Sequence, residues 1–149
     1  NNTFFIKRKM IEENTKIDPK NIKAFIEDSK PLMESKDFGK WKGFDKIKED
    51  EDGKPIYQMP YVDYSVEVGK FESSFQRNKL LVPFESSEIS KYMDIINDHN
   101  IDLSIYPVEE LLKMLSMIIK GNNLVEGLIL NYLESNGIQR ILSALQKKL

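Results

Sequence analysis

The sequence predicts a mainly helical α+β single domain with one small antiparallel β-hairpin packed on a helical body. Apolar residues recur at helical spacing over most of the chain after position 65, which argues for a succession of amphipathic helices. Two short aromatic and branched stretches, Trp41 to Ile47 and Pro55 to Tyr61, flank the acidic, glycine-containing turn Glu49-Asp50-Glu51-Asp52-Gly53, a hairpin signature. The chain has 149 residues, 40% of them apolar, enough to bury one core without disulfides or a structural metal.

Elements follow in order. Residues 1–20 are set apart as an N-terminal arm or extra element: Phe4, Phe5 and Ile6 precede Lys7-Arg8-Lys9 and suit a short strand, a helix start or a docking arm equally. The domain itself spans residues 21–149. Asp18-Pro19 reads as an N-cap with proline in the first turn, Ile22, Phe25 and Ile26 supply an apolar face, and Pro31 is expected to end or kink this helix. The hairpin comes next, its candidate aromatic face being Trp41, Phe44, Tyr57 and Tyr61. A two-stranded hairpin is marginal alone, so that face needs a helix to pack on.

Ser65 is an N-cap with Glu67 in the first turn and Val68, Phe71 and Phe75 behind it. Leu80 to Phe84 is apolar but contains Pro83, which suits a buried connection or a third strand. Ile89, Tyr92, Met93 and Ile96 define a further helix. The stretch from Val108 to Ile119 defines one that is apolar over more than half its circumference and therefore central. Leu124, Leu128 and Tyr132, then Ile138, Ile141, Leu142 and Leu145, predict two more, jointed at Gly121 and at Ser135-Asn136-Gly137.

Composition removes several function classes. There is no cysteine and a single histidine, which excludes thiolate zinc sites, iron–sulfur clusters, cysteine nucleophiles and multi-histidine metal sites. Twenty-two basic residues against 24 acidic ones give a net charge of -2, and no nucleotide-binding glycine loop is present. Nucleic acid is thus a poor fit as partner; the segment from Glu85 to Glu110 is acidic, and the bases gather at the ends as Lys7, Arg8, Lys9, Arg140, Lys147 and Lys148. No apolar run is long enough for a membrane span. The chain begins without Met and without a signal-peptide pattern, so its native start is expected upstream and its location cytoplasmic.

One polar stretch resembles a calcium loop. Asp98, Asn100, Asp102 and Glu109 fall at ligand positions, but Leu103 stands where such loops place glycine, and no second loop pairs with it. The same acidic segment, with Asp94, Asp98, His99 and Asp102, is where a hydrolase or metal-dependent enzyme would gather its groups. No other cofactor is expected.

The segment Tyr57-Gln58-Met59-Pro60-Tyr61-Val62-Asp63-Tyr64-Ser65 resembles the M-P-Y-x-x-Y-S signature of a small bacterial family whose domain has no known function. Phe38-Gly39-Lys40-Trp41, Gly53, Glu67-Val68 and Phe71 appear in matching order. Lys120-Gly121-Asn122-Asn123-Leu124, Glu126-Gly127, Glu134 to Gly137 and Ile141 to Leu145 are similar to the family's C-terminal segment. Where the family tends to show R-x-x-R-F, this chain has Asn123 and Leu124 in place of the second Arg and the Phe. The resemblance implies a single α+β domain and no particular activity. Pro60 ends a strand, and the tyrosines fill the hairpin–helix junction or line a recognition groove. The leading expectation is a binding or adaptor module contacting an unidentified protein partner through Trp41, Tyr57, Tyr61 and Tyr64.

Overall fold

Aspartate before proline starts the first helix as expected. In the computed structural model, which describes residues 17–43 and 45–149, α1 runs Pro19–Glu34, and the Asp18 carboxylate accepts the Lys20 backbone N–H at 2.9 Å. Pro31 does not end this helix. Both Pro31 and Glu27, whose carbonyl the proline leaves without its helical donor, lie on the exposed face, where water can serve that carbonyl and the remaining turn persists. The opposite face buries Ile22, Phe25, Ile26 and Leu32.

The chain then leaves the body and returns. Strands β1 (Gly39–Lys42) and β4 (Tyr61–Tyr64) pair antiparallel, and beyond them β2 (Lys46–Glu49) pairs with β3 (Pro55–Tyr57). The predicted hairpin is present as one excursion with an irregular waist. At that waist Gly43 passes close to the backbone of Met59, leaving no room for a Cβ, and the Gln58 N–H donates across to the Asp45 carbonyl at 3.3 Å. The distal turn is built by Asp50, whose carboxylate accepts the N–H groups of Asp52 and Lys54 at 2.9 and 2.8 Å, with Gly53 in the left-handed conformation. At the base, the Ser65 N–H donates to the Phe38 carbonyl at 2.9 Å, and Phe38 and Tyr64 pack against the core. Phe44, one of the expected aromatic residues, and residues 1–16 lie outside the described residues.

Helix α2 (Val66–Arg77) returns onto α1, capped by Ser65 as the sequence predicts. Phe25 meets Phe71 and Phe75 at ring-centroid distances of 5.5 and 5.2 Å, and Asp28 accepts hydrogen bonds from Ser74 (2.7 Å) and Arg77 (3.0 Å). The end of α2 is a Schellman turn: Lys79 is left-handed, the Leu80 N–H reaches the Phe75 carbonyl at 3.1 Å, and both Leu80 and Phe75 are fully buried. Leu80 to Phe84 is therefore an irregular connection, buried at Leu80 and Val82 and exposed at Leu81, and not a third strand. It bonds sideways to a helix, the Val82 N–H donating to the Ser116 hydroxyl at 2.9 Å.

Four further helices complete the body. They are α3 (Ser86–Asn97), α4 (Val108–Gly121), α5 (Leu128–Glu134) and α6 (Gly137–Gln146), with a short 3-10 turn at Leu103–Ile105. Helix α4 buries every residue from Met114 to Ile119 and is central, as its sequence implies. Leu124 departs from expectation: it precedes α5 in the α4–α5 connection and is 89% exposed. Left-handed Gly127 breaks the helical period between Leu124 and Leu128. Among the described residues no helix is long and apolar enough to cross a membrane.

Candidate functional site

The α4–α5 connection, residues 122–127, clamps the proximal half of the hairpin by three contacts. The Trp41 indole lies so closely on Gly127 that a Cβ there would collide with the ring, and Gly127 has φ +83°. The Glu126 carboxylate accepts the Val62 N–H at 2.8 Å. The Tyr64 hydroxyl donates to Asn122 Oδ1 at 3.1 Å and accepts the Leu130 N–H at 3.2 Å, while Asn122 Oδ1 also accepts the Ile129 N–H. Burial pushes the Tyr64 hydroxyl above its ordinary pKa, so it stays a donor.

Strand parity then divides the four aromatic residues singled out in the sequence. Successive side chains of a strand point to opposite faces. Trp41, Val62 and Tyr64 share the face turned to the connection and the body, whereas Tyr61 shares the outward face with Lys40, Lys42 and Asp63. Lys42 and Asp63 form an ion pair there at 2.8 Å, which raises the Lys42 pKa. Tyr57 lies on the distal ribbon, 58% exposed. The four therefore do not form one groove: Tyr64 is a junction residue, Trp41 half covers the junction, and Tyr61 and Tyr57 face solvent.

The exposed large apolar side chains are unevenly spread among the described residues. Trp41, Ile47, Tyr57, Met59 and Tyr61 are on the hairpin, and Leu124 and Val125 are on the connection clamped to it; Met59 and Leu124 are 82% and 89% exposed. Val66, Leu81, Ile89, Ile105 and Leu149 are scattered over the rest. Sequence reasoning did not single out Met59, Leu124 or Val125 as exposed, nor Asn122, Glu126 and Gly127 as the clamp. A signal was present, because Tyr57 to Ser65 and Lys120 to Gly127 are two of the stretches singled out in the sequence, and they meet here in space.

The acidic loop is arranged differently from a metal cage. Asp98 and Asp102 each turn Oδ1 onto the backbone N–H two residues on, Asn100 and Ser104, both at 3.0 Å, and Asp102 also accepts the Ser104 hydroxyl at 2.7 Å. These bonds lower the Asp102 pKa. Leu103, at the glycine position of a calcium loop, is a buried core residue opening the 3-10 turn, and Glu109 is exposed in the first turn of α4. Asp94 and His99 are exposed as well. Among the described residues, no three His, Asp or Glu side chains gather as a metal site.

Arg140 organises this loop. Its guanidinium donates to the carbonyls of Ile96 (2.7 Å), Asp98 (3.2 Å) and Ile101 (2.8 Å), placing a cation at the C-terminus of α3. It is thus committed to the fold, which leaves Lys147 and Lys148 at the end of α6 as the described members of the terminal basic group. A second polar group joins α3 to α4: the Tyr92 hydroxyl donates to Glu110 at 2.7 Å, and Lys113 pairs with Glu88 at 3.0 Å. Burial, then the Glu110 contact, raises Tyr92 to about 12.

A family model describes residues 18–149, spanning the whole helical body, the hairpin and the clamp. The chain belongs to DUF6508, a family of unknown function. No curated protein and no solved structure matches it. In this DUF6508 chain the matched region starts at the Asp18 cap and leaves out the first 17 residues.

Proposed function

We propose that this DUF6508 chain is a protein-binding module whose contact surface is the end formed by the hairpin and the α4–α5 connection. One observation carries the reading: exposed large apolar side chains concentrate on this end, with Met59 and Leu124 almost wholly in solvent. An isolated exposed leucine needs no explanation, but a grouping of aromatic and aliphatic side chains on adjoining segments suits a partner surface. The clamp supports the same reading, since it holds two otherwise independent segments in one arrangement and so lowers the entropy lost on binding.

The test is capture of protein partners on immobilised chain, comparing Met59→Asp with Leu124→Asp against Ile105→Asp, an exposed apolar residue far along the chain. A stoichiometric protein lost on the first two variants and kept by the third supports the reading. Capture that is indifferent to Met59 and Leu124 contradicts it.

A further inference from the structure

The two edges of the β1–β4 ladder differ. On β4 the outward Val62 N–H is taken by Glu126 at 2.8 Å, and Pro60, which has no N–H, stands at the strand's start. On β1 no such cover exists among the described residues: β1 pairs with β4 alone. The bond from the Ser65 N–H to the Phe38 carbonyl sets the parity of the ladder. Lys40 and Lys42 sit in the hydrogen-bonded pairs with Asp63 and Tyr61, so Gly39 and Trp41 turn their N–H and C=O groups away from β4, toward the open side.

We propose that this open edge of β1 receives an extended acidic peptide by β-strand addition. The inference rests on the protein-binding reading above and names the partner's chemistry. Main-chain bonds to Gly39 and Trp41 would supply affinity, and side-chain alternation would supply selectivity. A residue placed opposite Trp41 turns toward the half-exposed indole, so an apolar side chain fits. A hollow of about 370 Å³ bounded by Lys36, Asp37, Phe38, Gly39, Leu130 and Glu134 gives room beside Gly39 for a second side chain of the added strand. The flanking residues of the added strand turn outward beside Lys40 and Lys42, where carboxylates fit. The Lys42–Asp63 pair is exposed and easily exchanged.

A second copy of this chain is disfavoured as occupant. In an antiparallel pairing of two β1 edges, placing Trp41 opposite Trp41 sets Lys40 against Lys42, and placing Trp41 opposite Gly39 sets Lys40 against Lys40. Like charges directly opposed across a ladder are destabilising. The lysines thus guard the edge against its own kind while leaving it open to an acidic strand.

The experiment uses the whole chain and a fluorescein-labelled, end-blocked peptide of alternating Glu and Val residues, followed by fluorescence anisotropy at neutral pH. The expected result is saturable binding that weakens by about tenfold or more when the Val residues, whose N–H groups would face β1, are N-methylated, and changes little when the Glu residues are. The paired substitution Lys40→Glu with Lys42→Glu should transfer preference to the matching Lys/Val peptide, with circular dichroism unchanged. Absence of saturable binding, or binding indifferent to which N–H groups are methylated, overturns strand addition. If either occurs while Met59→Asp and Leu124→Asp still abolish partner capture, the protein-binding surface stands and only the strand mechanism falls; if capture is also indifferent, both fall.

Discussion

The helical body and the hairpin are built from similar amounts of aromatic residue and use it in opposite ways. In the body, Phe25, Phe71 and Phe75 are fully buried against one another, and the buried hydroxyls of Ser74 and Ser116 have bonded partners. In the hairpin, Trp41, Tyr57 and Tyr61 are 47%, 58% and 37% exposed, and the distal strands β2 and β3 have few covered positions. Attachment depends on the Phe38, Val62 and Tyr64 anchors and on the clamp of Asn122, Glu126 and Gly127. The difference separates two uses of apolar side chains: burial holds the body together, while the hairpin leaves large apolar side chains in solvent, and on these the proposed protein-binding role rests.

The sharpest break in that comparison comes from truncating one aromatic residue in each region. Phe71→Ala should cost about 3–5 kcal/mol in urea unfolding, the usual range for a buried phenylalanine, whereas Tyr57→Ala should stay within about 0.5 kcal/mol. Equal losses would erase the distinction. Next in size is Arg140→Ala, which removes three bonds to backbone carbonyls. A loss of about 2–3 kcal/mol is expected, with faster amide exchange confined first to residues 96–104.

The joint between the regions is tested by Gly127→Ala. The left-handed backbone alone costs about 1–2 kcal/mol with a side chain, and the methyl group must displace the indole. Because Trp41 is the single tryptophan, its emission should shift to longer wavelength. An unshifted spectrum would mean that the ring does not rest on Gly127. The smallest effect is expected at Glu72, half-buried on α2, where burial raises the carboxyl pKa. A raised folded pKa favours folding below the unfolded value, and that contribution fades as pH rises through the folded one. Glu72→Gln should therefore stabilise by up to about 0.5 kcal/mol at neutral pH, with the gain vanishing below pH ~4.

Much of the body was legible because helical periodicity reports burial directly. Val68, Phe71 and Phe75 on α2, and the run from Leu111 to Ile119 on α4, are buried as their spacing implies, apart from partly covered Lys113. The acidic turn with Gly53 located the hairpin, and Ser65 and Asp18 located helix starts. Legibility failed where a local pattern was overruled by a distant partner. Pro31 is tolerated because its face is exposed, and Leu124 is excluded from α5 because Gly127 turns left-handed beneath Trp41. Period two would have separated Tyr61 from Tyr64, which stand three apart on one strand, yet grouping them as one aromatic face ignored it. The Asp98 to Glu109 stretch matches a ligand spacing, but two of its carboxylates serve backbone N–H groups and Leu103 anchors the turn in the core.

The most direct test of the separation between the body and the proposed binding end is urea unfolding of a variant carrying Tyr57→Ser, Met59→Ser, Leu124→Ser and Val125→Ser together. If these side chains are exposed for recognition, the variant unfolds with the midpoint and slope of the natural chain, within about 1 kcal/mol. A loss of several kcal/mol would show that they support the fold, and would contradict the account.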